Sequence, residues 1–247
     1  LITGYNGFLG KHLVPEIKKN YKNKIILVNS SDVNLESDIQ TKKLLKSIKP
    51  KVIINLAAYS GGIGANTKFQ ADFFIRNIKI ITNIFNESKN LKIKKIINFL
   101  GSCSYPENNK VKLKEDDFWH GMPVKSSLGY SMAKKMSEII SWTFEKQFKI
   151  NYCNFILGNI YGEYDNFKKD ESHVIPALIR KFYEAKKRGN KMSDETKARN
   201  RRTIFRFLQG VVLGSLVTAI VFYSLTYKEH ERMHDLLEKH GIEKHEH

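Results

Sequence analysis

Tyr130 and Lys134 stand four apart in Tyr130-Ser131-Met132-Ala133-Lys134, so a helix would put both on one face. A free phenol holds its proton up to about pH 10, too high for acid–base work at neutral pH. An ammonium alongside favours the phenolate, so Lys134 is expected to lower that value. Such a pair can pass a proton to or from a substrate oxygen while a hydride moves at the adjoining carbon. Ser102 ends an earlier apolar run and is placed to hold the same oxygen. In a lysine-rich chain an ordinary amphipathic helix also produces this spacing. The order along the chain is what gives it weight: a glycine turn, a serine at a strand end, then Tyr-x-x-x-Lys.

That glycine turn opens the chain, as Leu1-Ile2-Thr3-Gly4-Tyr5-Asn6-Gly7-Phe8-Leu9-Gly10. Two apolar residues run into three glycines spaced by three. Lys11–Asn20 then has helical periodicity through Leu13, Val14 and Ile17. Strand, glycine turn and helix make a dinucleotide cradle. Gly4 permits the tight turn, Gly7 lets the backbone approach a pyrophosphate, and Gly10 lets helix and strand pack. The anion would sit on the helix N-terminus, where unpaired N–H groups point at it. A plain surface turn is the alternative.

The remaining elements must carry these groups to one edge. Lys24–Asn29 reads as a strand, Asp38–Ile48 as a helix, and Val52–Ala58 as a strand buried on both faces. A glycine loop over 60–66 leads into a helix over Thr67–Ser88. Lys95–Leu100 is the next strand, followed by a polar loop to about Ser127. Tyr130–Phe148 reads as a helix, Tyr152–Gly158 as a strand and His173–Arg188 as a helix. Alternation of this kind predicts a Rossmann-like, doubly wound parallel sheet with right-handed crossovers. Ligands then gather at the carboxyl ends of the strands.

The chain has 247 residues and a formal net charge of +17. The first 191 residues hold 33 Lys+Arg and 17 Asp+Glu, so the excess lies there. The lysines are scattered among Asn and Ile with no aromatic-interleaved stripe, which argues against nucleic acid as a partner. Two cysteines, Cys103 and Cys153, make no disulfide framework and point to a reducing compartment. No signal peptide opens the chain, and its first strand is so short that the N-terminus is expected to be trimmed.

Residues 1 to about 191 resemble the extended short-chain dehydrogenase/reductase family and, within it, the GDP-L-fucose synthase branch. The stretches that carry the likeness are 55–66 (NLAAYSGGIGAN), 99–106 (FLGSCSYP), 159–162 with 165–167 (NIYG and DNF), and 172–180 (SHVIPALIR). The resemblance implies epimerisation beside a 4-keto group of a GDP-sugar, then reduction of that ketone by NADP, with NAD as the alternative cofactor. Cys103 and His173 match the branch's base and acid; Tyr130 is the proton donor, Lys134 tunes it, and Ser102 completes the catalytic set. The implied cofactor contacts are Gly4, Tyr5, Asn6, Gly7, Phe8, Leu9, Gly10, Leu56, Ala57, Ala58, Tyr130, Lys134 and Asn159. The implied substrate contacts are Asn66, His173, Arg180 and Lys181. Asn77 matches a polar relay position, with a helix-surface Asn as the alternative.

Two departures stand out. The Ser-rich loop is one residue shorter than in the branch. After the second strand the chain reads Val28-Asn29-Ser30-Ser31-Asp32, without the arginines that grip a 2′-phosphate.

Near residue 191 the composition changes, and the branch's substrate lobe is expected to be missing. Residues 192–206 form a basic linker with five Lys+Arg and two acids. Phe207–Tyr227 holds 21 residues without a charge, about 31 Å of helix, and reads as a single transmembrane helix. The tail, 228–247, has four Lys+Arg and six acids, so residues 1–206 are expected on the cytoplasmic side. Gly210 and Gly214 have the spacing that lets two such helices touch in a homodimer; small residues without a partner fit equally well. His230-Glu231-Arg232-Met233-His234 matches a zinc-protease pattern, but too few residues follow to build a cleft, and no metal is assigned. Two competing functions remain: an NAD-dependent nucleotide-sugar epimerase or dehydratase, and a non-enzymatic fusion whose working part is the membrane module.

Overall fold

The computed structural model describes residues 1–107, 112–169 and 171–187. The expected linker, membrane helix and tail of 192–247 lie outside these residues, with the paired glycines and the His-Glu-x-x-His stretch. Among the described residues no helix is long and apolar enough to cross a membrane. Leu1–Glu184 forms one compact unit; of the second, Ala185–His247, only 185–187 are described.

Five strands form one parallel sheet: β1 (Ile2–Thr3), β2 (Leu27–Val28), β3 (Val52–Asn55), β4 (Lys95–Gly101) and β5 (Tyr152–Leu157), in the order β2-β1-β3-β4-β5. The helices are α1 (Phe8–Asn20), α2 (Asp38–Ile48), α3 (Ile63–Lys68), α4 (Gln70–Ser88), α5 (Leu128–Phe148) and α6 (Val174–Lys187). The step from β1 to β2 runs one way across the sheet and every later step runs the other way. Right-handed crossovers therefore put α1 on one face and α2, α4 and α5 on the opposite one. This is the doubly wound arrangement expected.

The main core lies under α2, α4 and α5. Leu45, Ile53, Ile80, Ile81, Ile84, Phe85 and Ile96 are buried together there, and Phe144 meets Phe85 edge-on at 5.5 Å. β4 alternates accordingly: Ile96, Asn98 and Leu100 are buried, while Ile97 and Phe99 stay half-exposed on the other face. Phe99 stacks on Phe155 of β5, and Phe155 is itself exposed. Among the described residues, the far side of the sheet is thus thinly covered near β4 and β5.

A polar rung crosses this apolar sheet. Thr3, Asn55, Asn98 and Asn154 are partners in successive strand pairs. Thr3 Oγ1 donates to Asn55 Oδ1 at 2.7 Å, Asn55 Nδ2 to Asn98 Oδ1 at 3.4 Å, and Asn98 Nδ2 to Asn154 Oδ1 at 3.0 Å. Asn154 Nδ2 then reaches the Glu138 carboxylate on α5.

Several boundaries differ from the sequence reading, α1 for one beginning at Phe8 where Lys11 was expected, and three others need a physical reason. β3 stops at Asn55: the Leu56 N–H still donates to the Thr3 carbonyl at 3.2 Å, but the Ala57 N–H turns to the Thr3 hydroxyl and the chain packs over the Gly4 turn. The expected Thr67–Ser88 helix is two helices, with Phe69 between them at φ −120°, ψ 42°. The break gives the 60–66 loop a helical end, since α3 begins at Ile63. Lastly, β2 is only Leu27–Val28 where Lys24–Asn29 was expected.

Candidate active site

The glycine turn has the geometry of a cradle. Gly4 sits at φ +68°, and a Cβ there would lie 2.8 Å from the Ala57 nitrogen. A Cβ at Gly10 would come within 2.3 Å of the Tyr5 carbonyl oxygen, so α1 can approach β1 only with glycine here. Gly7 is the N-cap of α1 and supplies no side chain, which leaves the first-turn N–H groups facing outward. The Ala57 N–H donates to Thr3 Oγ1 at 3.4 Å, joining Leu56-Ala57-Ala58 to the turn. These features fit a dinucleotide pyrophosphate. Tyr5, Phe8 and Leu9 are half-buried around the turn and Asn6 is exposed.

At the end of β2 the chain folds back on itself. Asp32 Oδ2 accepts the Asn29 N–H at 2.9 Å, and Asn29 Oδ1 accepts the N–H and hydroxyl of Ser31. A phosphate on the 2′-position would find the exposed hydroxyls of Ser30 and Ser31 here, with a carboxylate close by.

α5 brings Tyr130 and Lys134 to the end of β4. The Lys134 ammonium donates to the Phe99 carbonyl at 2.9 Å and lies 5.5 Å from the centre of the Tyr130 ring. Tyr130 packs edge-on to Phe73 at 6.2 Å. A Cβ added to Gly101 would be 3.1 Å from Cys103 Sγ and 3.6 Å from Tyr130 Cε1, so the thiol and the phenol flank the same backbone position. Cys103 is exposed. Ser102 begins the 3-10 turn Ser102–Ser104 and is half-buried. Ser104 is turned inward, where its hydroxyl donates to the Ser131 carbonyl.

Burial, and secondarily the facing Cys103, hold the Tyr130 phenol well above its ordinary value. The expectation that Lys134 lowers it is corrected. The ammonium is committed to the Phe99 carbonyl, and loss of water around the phenol outweighs it. Burial also draws Lys134 down to about 8, opposed by Cys103. At neutral pH the site therefore holds a protonated phenol beside an ammonium.

The other matched residues cluster on loops. Asn66 is buried; its Nδ2 donates to the Gly61 and Gly62 carbonyls, and its Oδ1 has no partner among the described residues. The Gly62 N–H donates to the Glu171 carbonyl at 2.8 Å, which ties this turn to the segment before His173. His173 precedes α6 and is exposed, with Nδ1 3.7 Å from Asp165 Oδ1. Arg180 donates to the Phe167 and Lys169 carbonyls, so its guanidinium holds the loop in front of α6. Lys181 and Asn159 are exposed. No hydrogen bond or ion pair among the described residues joins Cys103 to His173. Asn77 is buried, not on the surface; it clamps both backbone groups of Tyr59 and the Phe73 carbonyl. Asp165 enters the sequence reading only within the 165–167 stretch and without a role, and the Phe99 carbonyl does not enter it. The first stands eight residues before His173 and the second acts through its backbone, so neither leaves a spacing signal.

Fold and site together define a dinucleotide-binding α/β domain that presents a Tyr-x-x-x-Lys helix at the carboxyl edge of its sheet. Residues 1–202 match the NAD dependent epimerase/dehydratase family, and the chain belongs to it. It is 33% identical over 189 residues to a GDP-L-fucose synthase of Dictyostelium discoideum, covering 76% of this chain and 59% of that protein. A GDP-L-colitose synthase of Yersinia pseudotuberculosis is 32% identical over 187 residues, covering 75% and 60%. Among solved structures, a GDP-L-fucose synthetase from Naegleria fowleri bound to NADP superposes with a TM-score of 0.69 at 29% identity, covering 77% of this chain and 63% of that one. A GDP-6-OMe-4-keto-L-xylo-heptose reductase from Campylobacter jejuni gives 0.69 at 30% identity, covering 73% and 52%. The chain spans about 60% of the length of the curated relatives it matches.

Proposed function

We propose that the chain is the cofactor-binding and catalytic part of an NADP-dependent GDP-sugar epimerase/reductase acting on GDP-4-keto-6-deoxymannose or a close relative. The observation that carries the reading is the convergence of Tyr130, Lys134 and Cys103 at the end of β4. Bound NADPH would supply the hydride. The Gly4–Gly10 turn and the α1 N-terminus would hold its pyrophosphate, and Leu56–Ala58 and Asn159 would line the same groove.

The ketone makes the protons on both neighbouring carbons removable, because the anion left behind is an enolate. The Cys103 thiolate takes such a proton, and His173 returns one to the opposite face. Tyr130 then gives its proton to the C4 oxygen as that oxygen becomes a hydroxyl, with Ser102 beside it. The phenol's high proton affinity suits this direction: it enters the step protonated. Lys134 stabilises the phenolate that remains. Asn66, Arg180 and Lys181 complete the substrate side of the reading.

The test is to incubate the full chain with the 4-keto GDP-sugar in deuterated water, with NADPH or NADH. Deuterium at the carbons flanking the ketone and loss of reduced cofactor are followed together. The reading expects both signals, with NADPH preferred only modestly because Ser30 and Ser31 stand where arginines would grip the 2′-phosphate. Cofactor bound without either signal would refute it.

For 207–227 the proposal is a single membrane span with residues 1–206 on the cytoplasmic side, supported by its uncharged length and flanking charge. Retention of the full chain in membranes after alkaline extraction is the expected result.

A further inference from the structure

We propose that Asp165 is a positioning residue that fixes the ring of His173. The inference rests on the reading of His173 as the acid that reprotonates the sugar, and it adds the residue that makes the imidazole a directed donor.

The Asp165 side chain is 3% exposed, whereas the His173 side chain is 58% exposed. A buried carboxylate is costly unless hydrogen bonds or a facing cation compensate. Asp165 Oδ1 accepts the Asn166 N–H at 2.7 Å and lies 3.7 Å from His173 Nδ1. Oδ2 is buried and has no partner among the described residues. Two cations at this loop are engaged elsewhere among the described residues. Lys168 pairs with Glu171 at 3.6 Å, and Arg180 holds the Phe167 and Lys169 carbonyls and lies 3.5 Å from Glu184. The imidazole is the group placed to answer this carboxylate.

The surrounding backbone is braced for that role. The Asp165 N–H donates to the Gly162 carbonyl at 3.3 Å. The Ser172 N–H donates to the Lys168 carbonyl at 3.1 Å, and the Ala177 N–H to the His173 carbonyl at 3.0 Å. The Ser172 carbonyl comes so near Gly62 that a Cβ there would lie 2.4 Å from it. The carboxylate and the ring therefore sit on two segments that are each tied down.

The chemical consequence follows from the two ring nitrogens. A carboxylate at Nδ1 keeps the proton on Nδ1 and leaves Nε2 on the exposed side. In the protonated ring, Nε2–H is the bond that breaks. Its proton goes to the enolate carbon, the C–H bond forms there, and a neutral imidazole with Nδ1–H remains. Asp165 takes no proton in the step, and water returns the proton to Nε2.

The test uses the full chain labelled with 15N-histidine, the His173 signals being assigned by their loss in His173→Gln. Wild type is expected to show neutral His173 as the Nδ1–H tautomer, and Asp165→Ala to move it to Nε2–H. In Asp165→Asn, deuterium uptake beside the ketone should fall 10- to 100-fold, while hydride transfer to an already epimerised 4-keto sugar falls less than threefold. An Nε2–H tautomer in wild type would overturn the proposal. So would equal loss of both reactions in a variant whose circular dichroism is unchanged. If His173→Gln leaves deuterium uptake intact, the acid assignment fails, and the tautomer measurement still decides whether Asp165 orients the ring.

Discussion

The β4–α5 corner and the loop before α6 hold their chemical groups in different ways. In the first, Tyr130 and Lys134 ride on a 21-residue helix packed against the core, and the lysine is tied to strand backbone. In the second, His173 stands exposed at a helix entrance, and backbone carbonyls caught by Arg180 and Gly62 keep its loop in place. The corner draws its reactivity from burial, which moves proton affinities away from their solution values. The loop has no such enclosure and must rely on direct contacts to aim its group. In the proposed reaction the hydride step and the thiol base fall to the buried corner, and the reprotonating acid falls to the strapped loop.

The sharpest way to separate the two regions is Tyr130→Phe. Reduction should fall by about 10³-fold while deuterium uptake beside the ketone persists. Equal loss of both would break the comparison.

Lys134→Met comes next, with an expected loss of about 10²-fold in reduction and a gain in stability. In the fold the ammonium releases its proton at about 8, against 10.5 for an unburied lysine. Folding therefore carries the whole cost of burying the charge below pH 8. That cost shrinks between pH 8 and 10.5 and disappears above. Removing the charge should stabilise the protein by about 2–3 kcal/mol at pH 7 and by nothing at pH 11, read from urea unfolding. Wild-type reduction should decline as pH rises through about 8, where the cation beside the phenolate is lost.

Arg180→Ala is the mildest of these changes. Hydrogen exchange at the Glu171 and Ser172 amides should speed up about fivefold, equivalent to about 1 kcal/mol of local stability, with β4 and α5 unaffected. Faster exchange across β4 would show that the loop and the corner are one cooperative unit.

Much of the corner could be read before the structure. Three glycines spaced by three announce a backbone that must come close to something, and Tyr-x-x-x-Lys announces a shared helix face. The sign of the Tyr130 shift could not be read that way. It depends on how much water the fold removes and on a carbonyl at Phe99 that no side-chain pattern reveals. The break at Phe69 was hidden because the helical periodicity read over Thr67–Ser88 runs through it, and no glycine or proline marks the spot. Asp165 was hidden because it faces His173 across a loop, where no period applies.

The row of Thr3, Asn55, Asn98 and Asn154 has a consequence beyond its own bonds. Strands of isoleucine and valine can slide past one another by a residue pair and find similar hydrocarbon at the new setting. An amide matched to an amide on each neighbour behaves like the teeth of a key: displaced, every tooth would strand its polar atoms against oil. Alignment in this sheet is therefore discriminated chemically and not by shape alone. The turn that follows Thr3 and the thiol-bearing turn that follows Gly101 are consequently delivered to fixed heights on a common rim.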